Sequence, residues 1–145
     1  MLYLLDTSVI LAAMTATHPQ QSASRALVEI LMEPPWPIQI TAESLVELLH
    51  IAAWQGDRQT GAHLIDRLLV LFPQPITLSP AILRRAAALT QRQGRLNLRA
   101  ALQAACAESI DCQDIISFDE DLGLVAGLRR WEPDQVLAGH RSKAR

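Results

Sequence analysis

Short apolar runs alternate with longer helical patterns along the whole chain. The runs at residues 2–5 and 115–118 are too short for helices and predict buried strands, whereas residues 19–32 and 44–54 carry apolar side chains at helical spacing. Strands that alternate with helices favour right-handed crossovers. The sequence therefore predicts an α/β fold, with a mainly parallel central sheet of about five strands and helices on both faces.

The remaining elements follow from the same pattern and from helix-capping residues. Further strands are predicted at residues 38–40, 75–78 and 128–131. Further helices are predicted at 57–71, 80–92, 97–109 and 122–126, and the residues able to cap helices are Thr41, Asp57, Ser79 and Asn97. Residues 1–133 are expected to form one domain and residues 134–145 a C-terminal tail, of which residues 139–145 are expected to fray.

Two aspartates come directly after predicted strands. Asp6 follows the run at residues 2–5, and Asp119 follows the run at 115–118. In open α/β sheets, ligands bind beyond the carboxyl ends of the strands. If the two strands are neighbours, both carboxylates face the same crevice. The structural alternative for Asp6 is that it only caps the helix that follows it.

Three segments, at residues 4–10, 41–49 and 115–122, contain an acid beside an apolar run. Together these segments resemble PIN domains, and most closely the small bacterial toxins of the VapC type. Residues 4–10 (Leu-Leu-Asp-Thr-Ser-Val-Ile) resemble the opening motif of that family. Residues 41–49 resemble its second motif, a capped helix in which Glu47 is the matching acid, and residues 115–122 resemble its closing motif. The resemblance covers residues 1–133.

This resemblance implies a metal-dependent endoribonuclease, the toxin of a toxin–antitoxin pair, with RNA and an antitoxin protein as partners. The catalytic residues it implies are Asp6, Glu47 and Asp119. The same three residues, with Asp121, would hold Mg²⁺ or Mn²⁺, and Ser8 and Ser117 would support them. Such ions activate a water nucleophile and neutralise the charge that develops at the phosphate.

One motif of the resemblance is broken. The family opens a helix with an aspartate in a pattern that is otherwise intact at residues 100–107, yet Ala100 stands at the acidic position. Asn97 lies about one helical turn earlier and offers a neutral oxygen, although a helix cap already uses its side chain. The loss of one acid weakens metal binding and leaves two alternatives, a natural difference or an altered residue.

Several of these side chains also have ordinary structural interpretations. Ser8 is a common residue at the start of a helix, and Glu47 or Asp121 belongs equally to a solvated face or turn. Five arginines are close in sequence, and they form either a solvated helix face or a patch that binds phosphate: Arg84, Arg85, Arg92, Arg95 and Arg99.

Charge and composition limit the environment of the protein. With 13 basic and 15 acidic residues, the net charge of −2 gives no general attraction to nucleic acid. Cys106 and Cys112 do not form a disulfide framework, no run reaches the ~18 apolar residues of a membrane span, and the N-terminus lacks a basic leader. A cytoplasmic protein is expected. Apolar residues at Trp54 and at 68–72 favour a homodimer.

Three hypotheses for function remain open at this stage. The order of Asp6, Glu47 and Asp119 favours a metal-dependent ribonuclease. Ala100 favours a PIN-fold module of weak or no activity that binds RNA or a protein. A different α/β domain, flavodoxin-like and with incidental acidic caps, is disfavoured because the sequence has no phosphate-binding loop.

Overall fold

A computed structural model describes residues 1–31 and 37–143, with only the backbone given for 140–143. The last residue of the helix predicted at 19–32 and the last two of the predicted tail lie outside the described residues. The strands are β1 (Tyr3–Leu5), β2 (Ile38–Gln39), β3 (Asp114–Ile116) and β4 (Arg129–Trp131). The helices are α1 (Thr7–Met14), α2 (Gln21–Leu31), α3 (Ala42–Trp54), α4 (Arg58–Leu71), α5 (Pro80–Arg92), α6 (Leu98–Ser109) and α7 (Pro133–Lys143).

The four strands form one parallel sheet in the order β2-β1-β3-β4. The predicted α/β class is confirmed, and β1 and β3 are central neighbours. The strand predicted at residues 75–78 appears as a single parallel bridge between Ile76 and Thr41. Ile76 makes both backbone hydrogen bonds of this bridge, and the amide of Ile40, which a longer ladder would use, donates to the side chain of Gln39 at 3.0 Å instead.

Alternating side chains of the central strands bury both faces of the sheet. Leu4 and Ile115 belong to one core with α5 and α6, whereas Leu5 and Ile116 belong to a second core with α1 to α4 and α7. Successive side chains of a strand point to opposite faces, so helices on both sides are required to cover them. The carboxyl ends of β1 and β3 thus open at one edge between two helical layers.

The predicted caps are in place. Thr41, Asp57, Ser79 and Asn97 each accept a hydrogen bond from a backbone amide in the first turn of the helix that follows. Within α6, Cys106 is buried, and that burial raises the pKa of its thiol to about 11. The thiol therefore stays neutral and packs as a small apolar group.

The C-terminal segment is helical over most of its length. Residues 134–143, which the sequence pattern assigned to a C-terminal tail, lie in α7. Val136 and Leu137 are buried in the second core, and this burial keeps the helix on the domain. The helix predicted at 122–126 is a 3-10 turn at Glu120–Leu124. Within the described residues, none of the helices has the length and apolarity that crossing a membrane requires.

Candidate functional site

Asp6 lies at the carboxyl end of β1 and is fully buried. Its Oδ2 accepts hydrogen bonds from the Ser8 hydroxyl at 2.6 Å and from the Ser117 hydroxyl at 2.7 Å. Its Oδ1 accepts a bond from Nη2 of Arg99 at 2.7 Å. Asp6 also caps α1 through the amide of Ser8. The helix-cap role considered from the sequence is therefore present, and the metal-ligand role stays a prediction.

Glu47 and Asp119 converge on the same arginine. Oε2 of Glu47 accepts a bond from Nε of Arg99 at 2.9 Å. Oδ2 of Asp119 lies 3.5 Å from Nη1 of Arg99. Each nitrogen of one guanidinium group thus faces a different one of the three predicted acids. Two of these acids follow the adjacent strands β1 and β3, and the third lies on α3.

Asp121 contacts the start of α6 rather than Arg99. Its Oδ2 accepts bonds from the backbone amide of Asn97 at 3.0 Å and from the Asn97 side chain at 2.7 Å. The Asn97 side-chain nitrogen also lies 3.2 Å from Oδ2 of Asp119. Asn97 Oδ1 accepts from the amide of Ala100 at 2.8 Å, as a helix cap does. Asn97 therefore links the two aspartates of the closing motif to α6.

Ala100, which stands where the resemblance leads one to expect an aspartate, is buried among apolar side chains. Ala100 is 1% exposed and belongs to the first core cluster. Its neighbour Arg99 supplies a positive charge to the same edge of the sheet. This two-residue segment at the start of α6 therefore brings a cation to the cluster where the resemblance leads one to expect an acid.

The sequence analysis named Arg99 only as one of five arginines and missed its contact with the three acids. Burial lowers the pKa of its guanidinium, but Asp6, Glu47 and Asp119 together hold the pKa above its ordinary value. Arg99 therefore stays charged. A signal was present in the sequence, because a cation in the first turn of a helix opposes the helix dipole and needs nearby acids to offset the cost. Of the other arginines, Arg85 pairs on the surface with Glu108.

Glu43 is a further acid near the cluster that the sequence reading left out. It lies one helical turn before Glu47 on α3, and its carboxylate is 3.3 Å from Nε2 of Gln103 on α6. Burial, and then the charge of Glu47, raise the pKa of Glu43. The spacing of four residues between the two glutamates was the signal that placed both on one face.

The donor set suits a hard divalent cation, because every inward ligand is a carboxylate oxygen. The guanidinium of Arg99 shows that these oxygens converge on a cation. The same guanidinium separates the three acids, and within residues 1–31 and 37–143 no group of three acidic, histidine or cysteine side chains is placed to hold a metal ion. The residues therefore fit such an ion by chemistry and charge, on condition that Arg99 moves.

Comparison with known protein families identifies the family of this chain. The sequence profile of the PIN domain family matches residues 3–128. The chain belongs to the PIN domain family. The match spans β1, β2 and β3 and ends directly before β4, and it includes Asp6, Glu47 and Asp119, so the acidic edge lies inside the PIN domain itself. Among curated proteins, no sequence matches the chain.

Solved structures share the PIN fold at low sequence identity. A toxin–antitoxin complex from Klebsiella pneumoniae matches at a TM-score of 0.65 and 20% identity, over 90% of this chain and 97% of that one. VapBC2 from Rickettsia felis, bound to a DNA fragment from its promoter, matches at 0.68 and 17%, over 91% and 100%. VapC20 from Mycobacterium tuberculosis, a toxin that cleaves the sarcin–ricin loop, matches at 0.70 and 16%, over 86% and 95%. At these identities the likeness establishes the fold.

Proposed function

We propose that this PIN domain is a metal-dependent endoribonuclease, the toxin of a bacterial toxin–antitoxin pair, acting in the cytoplasm. The observation that carries the proposal is the convergence of Asp6, Glu47 and Asp119 at the carboxyl edge of β1 and β3. In α/β sheets this edge is where ligands bind. The toxin–antitoxin proteins among the structural neighbours support the same assignment.

Each residue of the site has a distinct task in this proposal. A bound Mg²⁺ or Mn²⁺ ion would supply Lewis acidity and a water of lowered pKa. Asp6, Glu47 and Asp119 would hold it, because they are the carboxylates that already face a cation. Ser8 and Ser117 fix the orientation of Asp6 by donating to one of its oxygens.

Asp121 is proposed to act through a neighbour rather than directly. Its carboxylate bonds twice to Asn97, and Asn97 also approaches Asp119. This contact fixes the loop after β3 against α6. Replacement of Asp121 is therefore expected to displace Asp119 rather than to remove a ligand.

Apolar surface away from the acidic edge offers places where protein partners are proposed to bind. A wholly apolar cavity of about 90 Å³ lies between α1, α2 and α4, lined among others by Ile10, Met14, Val28 and Leu68. An antitoxin segment is proposed to bind this region of the domain.

Trp54, which is 91% exposed at the end of α3, supports the homodimer. Sedimentation of the chain beside Trp54→Ser tests the dimer, which the variant should weaken.

The nuclease proposal is tested with Ala100→Asp, which places an aspartate at the position where the resemblance leads one to expect it. The chain as given is expected to cleave RNA slowly in Mg²⁺ or Mn²⁺, and EDTA is expected to stop it. Ala100→Asp should accelerate cleavage by at least ~10-fold, since even losses outside the ligand set typically cost ~10–100-fold in affinity or activity. Asp6→Asn in the same background should remove the gain.

Two matched controls sharpen this experiment. Ala100→Asn places a side chain of the same shape at the buried position without the charge, so a gain with aspartate alone assigns the effect to the carboxylate. Asp114→Asn alters a buried carboxylate at the opposite end of β3 and should leave cleavage unchanged. Thermal unfolding of every variant reports whether it is folded.

The second candidate is a PIN-fold module that binds RNA or a protein without cleaving. Two observations favour it: Ala100 closes the acidic position, and Arg99 occupies the acids. If folded Ala100→Asp cleaves no RNA with any divalent metal, the nuclease proposal fails and this candidate replaces it.

A further inference from the structure

The guanidinium group of Arg99 contacts all three predicted acids of the cluster. Nη2 of Arg99 contacts Asp6 at 2.7 Å, Nε contacts Glu47 at 2.9 Å and Nη1 lies 3.5 Å from Asp119. The planar guanidinium offers its donors in a fixed fork, so a single side chain can reach three carboxylates at once. No other cation contacts Asp6, Glu47 or Asp119 among the described residues.

The charges of the cluster do not balance. Arg99 brings one positive charge to three carboxylates, so two negative charges remain uncompensated. Asp6 is 0% exposed, and water therefore cannot stabilise its charge in place of a cation. Crowded carboxylates without a cation repel one another. The guanidinium thus gives the folded chain the neutralisation that a bound ion would otherwise give, and the residual charge still attracts a divalent cation.

The position of Arg99 allows it to leave the acids. Its side chain is 29% exposed, so one side of the guanidinium already faces solvent. Arg99 lies in the first turn of α6, after the cap Asn97. A positive charge at that end of a helix is disfavoured by the helix dipole, so the carboxylates alone account for its inward orientation.

We propose that Arg99 is the resident counter-ion of the acidic site and competes with divalent metal ions for the same carboxylate oxygens. The inference rests on the proposed function only in expecting a divalent ion at this site. Arg99 holds the three acids together when no ion is present, and it must turn outward when an ion binds. The position next to Ala100 thereby sets the metal concentration at which the site fills.

Calorimetric titration with Mn²⁺ alone tests this competition without any measurement of activity. Arg99→Gln removes the charge, and it is expected to bind Mn²⁺ about 10-fold or more tightly than the unaltered chain, within the range typical of groups that tune a metal site. The matched control is Arg95→Gln, which removes an equal charge from an exposed arginine just before α6. The control corrects for the general effect of lowering the net charge.

Thermal unfolding gives a second, independent readout. Without metal and at low ionic strength, Arg99→Gln should melt at a lower temperature than the unaltered chain, and Mn²⁺ should raise its Tm by more. Arg99→Lys retains the charge but not the fork, and its Mn²⁺ affinity should lie between the other two. If Arg99→Gln folds only when Mn²⁺ is added, that result also supports the proposal.

The outcomes separate this inference from the nuclease proposal. Equal Mn²⁺ affinity in the unaltered chain and in Arg99→Gln overturns the competition, as does a gain no larger than that of Arg95→Gln or an absence of binding in every variant. If Arg99→Gln binds Mn²⁺ tightly yet neither it nor its combination with Ala100→Asp cleaves RNA, the nuclease proposal fails and the counter-ion role stands.

Discussion

Two buried carboxylates lie at opposite ends of the same central strands and have different surroundings. At the amino end of β3, Asp114 is 3% exposed and accepts one bond from Trp131 Nε1 and one from Arg129 Nη2, each at 2.7 Å. At the carboxyl end, Asp6 shares the guanidinium of Arg99 with two further acids. Asp114 has a guanidinium group to itself, whereas Asp6 shares one with Glu47 and Asp119.

The two ends of the central strands differ in the ratio of acids to cations. Asp114 is matched by one arginine, so the amino end of the sheet has no need of a further cation. The carboxyl end has three carboxylates around one arginine, and the proposed divalent cation would offset this surplus of negative charge. Burial alone does not separate the two, since both aspartates are almost fully buried.

The largest change in stability is expected when Asp114, at the amino end of β3, is replaced. Asp114→Ala leaves the part-buried Trp131 Nε1–H without an acceptor, whereas Arg129, at 57% exposure, is taken up by water. An unsatisfied buried donor costs about 1–3 kcal/mol, so the free energy of unfolding in urea should fall by that amount. Asp114→Asn keeps an acceptor oxygen and should recover part of the loss. A change below about 0.5 kcal/mol for the alanine variant would contradict the structural role.

At the carboxyl end of the central strands, removal of an acid is expected to raise the free energy of unfolding rather than lower it. Glu47→Gln removes one of three like charges and leaves an oxygen for Nε of Arg99. The free energy of unfolding without metal should stay constant or rise by up to about 1 kcal/mol at low salt, the scale of partly exposed charge interactions. Added NaCl should reduce the gain. A clear loss of stability at low salt would mean that Arg99 and the acids are balanced after all.

The smallest effect is expected from Glu43, and it depends on pH. Because burial and the neighbouring Glu47 raise its pKa, folding favours the protonated carboxyl. That contribution is complete below the ordinary value of 4.5 and is lost as the pH rises through the raised pKa of the folded state. Glu43→Gln should therefore match the unaltered chain at acid pH and exceed it in stability at neutral pH. Tm values measured across this range check the prediction, and parallel curves would refute it.

The fold was predictable because it depends on patterns that are local in sequence. Short apolar runs and capped helices predict the parallel sheet, and the rule for strand ends brings Asp6 and Asp119 to one edge. Arg99 was missed because it stands among other arginines, most of which are exposed. Its inward orientation depends on acids distant in sequence. The helical character of α7 was missed because few of its residues are apolar, although Val136 and Leu137 are buried.

The hydrogen bonds of Asp6 join parts of the chain that are distant in sequence. Ser117 is 111 residues away from Asp6 in sequence, and Arg99 is 93 residues away. In a chain that emerges from the ribosome, Asp6 precedes Arg99 and Ser117, so they cannot orient it until both have been synthesised. Domains generally fold as units, so shortened products that lack β3 would carry the first acid without any arrangement around it. The acidic cluster is therefore absent from incomplete copies of the protein.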